Sequence, residues 1–114
     1  MYFSAYPGSE QISVVTFEPQ VFGGPQAVEF SAKLNDFASK GGRWVIVDLT
    51  NVELMNSSGL GMLVGGMTTM RKYNGAVKLV AVPEKVSGLL RITRLNTVFE
   101  SYSTVEEAVL SCRE

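Results

Sequence analysis

Apolar residues run almost unbroken through Trp44-Val45-Ile46-Val47-Asp48-Leu49, and a run of this kind, taken from Arg43, predicts a strand buried on both faces. Past Met55 the period changes. Leu60, Leu63, Val64, Met67 and Met70 recur at i, i+3, i+4, i+7 and i+10, one apolar stripe that predicts a helix to about Tyr73. Asn56, Ser57 and Ser58 stand directly before that stripe. There, short polar side chains accept hydrogen bonds from unpaired first-turn amides. The strand-to-helix connection therefore puts two serine hydroxyls at the positive end of a helix.

The rest of the chain alternates the same two periods. Tyr2 to Tyr6 predicts a short edge strand closed by Pro7-Gly8, and Ile12 to Phe17 a second strand rich in β-branched residues. Glu18 to Gly24 reads as a loop. Pro25 then opens a helix whose stripe is Ala27, Phe30, Leu34 and Phe37, and Gly41-Gly42 ends it. The central helix stops at Asn74-Gly75, and Val77 to Val82 predicts another buried strand, interrupted only by Lys78. Pro83 precedes a short helix with Val86, Leu89, Leu90 and Ile92 inward, and Val98 to Tyr102 predicts a last strand.

Ser103 to Glu106 has capping-box spacing, with Thr104 to Glu107 a second register. It starts a final helix through Val105, Ala108, Val109 and Cys112. Strands separated by single helices predict crossovers and a largely parallel sheet. The expected fold is thus α/β: one domain over residues 1–114. About four or five strands form a mostly parallel sheet under about four helices.

Composition narrows the function. Hydrophobic residues make up 46% and charged ones 18% of the 114 residues, a globular balance. A formal net charge of −1, with no basic run, gives no electrostatic reason to expect nucleic acid. No stretch has the length of a membrane span and the first residues lack a signal-peptide pattern, so a cytoplasmic address is expected. Cys112 is the only cysteine and histidine is absent. That removes intrachain disulfides, the commonest general base and the commonest metal ligand. No cofactor, metal site or enzymatic activity is expected. Asp48, at a strand end, lacks the companion acids a Mg²⁺-holding phosphoaspartate site requires, and reads as structural.

The helix after Asn56 carries Gly59, Gly61, Gly65 and Gly66, although each interior glycine costs roughly 0.5–1 kcal/mol relative to alanine. Ser57, Gly61, Gly65 and Thr68 fall on one side, a nearly bare strip that another surface could approach closely. Packing against its own sheet or a neighbouring helix would explain the glycines as well. A capping turn would likewise explain Asn56-Ser57-Ser58.

Val45-Ile46-Val47-Asp48-Leu49-Thr50-Asn51-Val52, followed by Met55-Asn56-Ser57-Ser58-Gly59-Leu60-Gly61, resembles the STAS domain of bacterial anti-sigma factor antagonists. Pro83 to Val86, Leu89-Leu90, Thr93-Arg94-Leu95, Val98-Phe99 and Val105 to Ala108 extend the resemblance over roughly Ile12 to Leu110. It implies a partner switch in which Ser57 is phosphorylated by an anti-sigma factor that is also a serine kinase. The unphosphorylated form binds that kinase and frees a sigma factor; a PP2C-type phosphatase resets the switch. Asn56 and Ser58 would flank and cap the site, with Gly59, Gly61, Met62, Gly65 and Thr68 meeting the partner.

Three positions depart from the family pattern. Asn56 stands where Asp is usual, Gln20 to Gly24 matches the usual turn poorly, and Arg94 stands where glycine is common. Asn56 gives weight to an alternative, a STAS subunit of a transporter or multiprotein complex that docks without phosphorylation. A hydrolase using Ser57 as nucleophile lacks a base nearby.

Overall fold

Val45, Ile46 and Val47 are fully buried in the computed structural model, which describes residues 1–112. Their strand, β4 (Trp44–Asp48), is the centre of a five-stranded sheet. β2 (Ser9–Thr16) and β6 (Ala76–Val80) flank it in parallel, and β7 (Glu100–Tyr102) pairs parallel with β6. β1 (Tyr2–Tyr6) closes the other edge antiparallel to β2 through the Pro7-Gly8 hairpin, so the order is β1-β2-β4-β6-β7.

The helices divide unequally between the two faces. α1 (Pro25–Ser39), α2 (Ser57–Lys72) and α3 (Glu84–Ile92) contribute Phe30, Leu34, Leu60, Leu63, Met70, Val86 and Leu90 to one core with Val15, Val45, Val47 and Leu79. The six-residue α4 (Val105–Leu110) alone covers part of the opposite face, where Ala108 packs with Ile12, Ile46 and Val80.

Two short strands lie outside the expected set: β3 (Gln20–Val21), inside the segment read as a loop, pairs parallel with β5 (Leu54–Met55), in the connection between β4 and α2. Other boundaries shift. β6 ends at Val80 because Ala81 turns left-handed (φ 54°), and β7 begins only at Glu100 after a turn through Val98 and Phe99. Ile92, expected inward, is 83% exposed, because the helix stripe is spent at Leu90. α4 uses the second capping register: Thr104 Oγ1 accepts from Glu107 N at 3.1 Å, and Glu107 Oε1 accepts from Ser103 N at 3.0 Å. Cys112 lies just past that helix, half-buried, and burial pushes its thiol above its ordinary pKa.

Three helices end alike. After α1, α2 and α3 the residue past the cap is left-handed, at Gly41 (φ 100°), Asn74 (φ 62°) and Arg94 (φ 60°). In each, the next amide reaches back to the third-last helical carbonyl: Gly42 to Phe37, Gly75 to Met70 and Leu95 to Leu90. This satisfies carbonyls that the helix end would otherwise leave open.

Lys78, the lone polar position of its strand, is buried at 6% exposure. Its ammonium donates to Glu100 Oε1 at 2.8 Å and to Ser111 Oγ at 2.9 Å, and lies 5.5 Å from the Tyr102 ring centre. Burial depresses its pKa, but the hydrogen bond and charge of Glu100 outweigh this and leave it above its ordinary value. The same hydrogen bond lowers the Glu100 carboxyl.

Candidate functional site

Helix α2 springs from the β3–β5 pair. Asn56 is its N-cap: the side-chain Oδ1 accepts from Gly59 N at 2.8 Å, and the backbone N–H donates to Val21 O at 3.4 Å. Ser57 and Ser58 are the first two helical residues, both exposed. Their amides have no helical acceptor, as at any helix start. The first turn carries no acidic side chain, while Arg71 and Lys72 close the last turn, so the helix dipole is unopposed at the serines. Ser58 does not cap; at the second helical position that role has already passed to Asn56. Gly23 of the β3–α1 connection packs on Ser58, where an added Cβ would lie 3.0 Å from the serine Cβ.

The four glycines separate into two pairs. Gly59 and Gly66 face inward: a methyl at Gly59 would run into the Val21 carbonyl, and one at Gly66 would lie 2.9 Å from Leu34 Cδ1 and crowd the Phe30 ring. Gly61 and Gly65 face solvent, and an added Cβ at either would meet nothing within 4 Å. With Ser57 and Thr68 they form an exposed strip at spacings of four, four and three residues. Gly59 and Met62 do not belong to that surface. Gly59 is buried against β3 and Met62, at 6% exposure, packs into the core, so neither is available to a docking protein.

Two exposed apolar side chains that the sequence pattern did not single out belong to the β3–β5 pair: Phe22 (44% exposed), directly after β3, and Leu54 (46% exposed), the first residue of β5. The Phe22 loop is pinned by Gln26, whose Oε1 accepts from Phe22 N and whose Nε2 donates to Gln20 O, each at 3.0 Å. Asp48 accepts from Thr50 N at 3.0 Å and from the Thr50 hydroxyl, a turn-forming role. Among the described residues no cluster of three His, Cys, Asp or Glu side chains is placed to hold a metal, and no helix is long and apolar enough to cross a membrane.

The STAS domain model matches residues 5–108, and the chain belongs to that family. A Thermotoga maritima protein named "Putative anti-sigma factor antagonist" is 30% identical over 79 residues, 69% of this chain and 70% of its own length. A homologue from Thermotoga neapolitana is 31% identical over 75 residues, and this chain spans 66% of its length. Among solved structures, the Bacillus cell fate determinant SpoIIAA in its phosphorylated form superposes with a TM-score of 0.74 at 18% identity, covering 98% of this chain and 100% of that one. That likeness establishes the fold.

Proposed function

We propose that this chain is an anti-sigma factor antagonist that switches partners through Ser57. The observation that carries the reading is the placement of an exposed serine at the first position of a capped helix, directly beside a strip where Gly61 and Gly65 offer bare backbone. The names of the Thermotoga relatives and the phosphorylated state of a structural neighbour support it.

In this reading the unmodified strip docks an anti-sigma factor that is also a serine kinase, and the bound sigma factor is freed. The Ser57 hydroxyl then attacks the γ-phosphorus of ATP in the kinase, ADP leaves, and the serine proton passes to solvent or a kinase base. The new group carries about −1.5 to −2 charges at neutral pH. It is comfortable within its own domain, at the N-terminus of a helix whose first turn carries no acidic side chain. At a close interface it adds bulk and an unpaired desolvated charge, which can cost several kcal/mol of affinity. Release therefore needs no refolding. A PP2C-type phosphatase restores the hydroxyl.

The test is capture of partners from host lysate by wild type, Ser57→Ala and Ser57→Asp, with mass spectrometry of Ser57 in native protein. An ATP-binding partner held by the first two and lost by the third, together with phosphoserine at Ser57, is the expected result. A partner held equally by all three would sink the switch and favour the non-phosphorylated docking subunit.

A further inference from the structure

The two edges of the main sheet are built differently. β7 is three residues long, and its Glu100 is tied to Lys78. β1 is five residues, Tyr2-Phe3-Ser4-Ala5-Tyr6, with no charge and no proline, and β2 is its sole neighbour in the sheet order. Natural sheets usually blunt such an edge with charge, proline or a cover, because its outward N–H and C=O groups accept another strand. The register shift against β2 is confined to the Ala5/Tyr6 end, so most of the strand stays regular.

The β1 segment also reads alike in both directions: aromatic, apolar, serine, apolar, aromatic. Turned about a two-fold axis through Ser4, Tyr2 of one copy faces Tyr6 of the other, Phe3 faces Ala5, and Ser4 faces its counterpart. Tyr2 and Ser4 lie on the sheet face of Val14, where Tyr6 packs too. α4 packs over β4, β6 and β7 on that face, and Tyr2 is left 68% exposed. No β1 side chain is charged, so none opposes a like charge across the axis. Of the charges around the strand, the Met1 ammonium is paired with Glu18 at 2.9 Å, and the Lys33 ammonium from α1 lies 5.6 Å over the Phe3 ring.

We infer that two copies of this chain associate through antiparallel β1 strands, continuing one sheet into the next. Cross-strand aromatic pairs and edge hydrogen bonds hold the contact. A single short strand pair buries less than the ~1,200 Å² of a standard interface, so the dimer is weak and forms at high concentration. The surface is separate from the Ser57 strip, so this association does not depend on the proposed switch.

Sedimentation equilibrium of the full chain between about 10 µM and 1 mM, the range of a weak complex, reads the association directly. The apparent mass should rise from 12.4 kDa toward twice that value. Ser4→Lys, which opposes two ammonium groups on the axis, should abolish the rise. Should that variant fold poorly, oxidation in a Cys112→Ser background gives a second readout. Ser4→Cys sets opposed Cα atoms about 4.5–5.5 Å apart, within disulfide reach. Tyr2→Cys leaves them four residues of strand apart, roughly 13 Å. A covalent dimer from Ser4→Cys and none from Tyr2→Cys supports the register. Wild type at 12.4 kDa throughout overturns the proposal, as does equal cross-linking by both cysteines. Capture of an extended peptide by a chain that stays monomeric would give the edge a different occupant and overturn it too.

Discussion

The α-carbon of Gly59 lies against the carbonyl oxygen of Val21, so close that no side chain fits between helix α2 and strand β3. The contact fixes where the helix starts relative to the β3–α1 connection, and so where Ser57 stands. Gly59→Ala must push backbone apart, and overpacking of this kind costs about 1–3 kcal/mol or more. Gly61→Ala and Gly65→Ala meet open space and should instead stabilise the fold by about 0.5–1 kcal/mol each. Urea unfolding of the three variants checks the split. If all three moved stability in the same direction, the assignment of inward and outward glycines would fail.

The cap at Asn56 invites a second comparison. Asn56→Ala removes the acceptor of the Gly59 amide and should cost about 1 kcal/mol, whereas Asn56→Asp keeps the acceptor and adds a favourable charge at the helix start. Thermal melts should place the aspartate variant at or above wild type. With a phosphate on Ser57 the order should reverse, because the carboxylate then faces a dianion.

Arg94 sits in a conformation that costs an L-residue about 1 kcal/mol. Arg94→Gly should therefore raise stability by about 0.4–1 kcal/mol, allowing for the greater freedom glycine has when unfolded. Asn74→Gly should gain less, since asparagine tolerates the left-handed region. Melting temperatures of the two variants decide the ranking.

The Lys78–Glu100 pair is lopsided, with side-chain exposures of 7% and 66%. Glu100→Ala leaves a buried ammonium with Ser111 as its remaining hydrogen-bond partner and should cost about 2 kcal/mol. Lys78→Met frees a carboxylate that water can solvate and fills the site with apolar volume, so it should cost less than about 1 kcal/mol. The pH dependence follows from the two directions. Glu100 is lowered in the fold, so its contribution is present above its unfolded pKa, near 4.5, and is lost as acid takes pH through the folded value. Lys78 is raised, so its contribution is full below about 10.5 and is lost as pH climbs through the folded value. Lys78→Met should flatten both limbs of a stability–pH curve.

Much of this was legible from periodicity. The runs at Trp44 to Leu49 and Val77 to Val82 read as buried strands, the second two residues too long, and the Leu60 to Met70 stripe read as an amphipathic helix. The β3–β5 pair was not legible, because two residues per strand carry no period and their pairing joins segments far apart in sequence. From that gap came the misplacement of Gly59, whose close neighbour, Val21, belongs to β3. Met62 was misplaced for a different reason: the buried face of α2 is wider than one stripe, reaching Gly59, Met62 and Gly66 because α1 packs there as well as the sheet. The departure at Arg94 was visible in sequence, and the backbone angle supplies its physical meaning.

Gly61 and Gly65 have nothing to truncate, so an alanine scan, which normally finds contact residues by deletion, works there by addition. On such ground a single methyl is the perturbation. In the proposed docking surface, variants that strengthen the fold while loosening its hold on a partner should gather at those two positions.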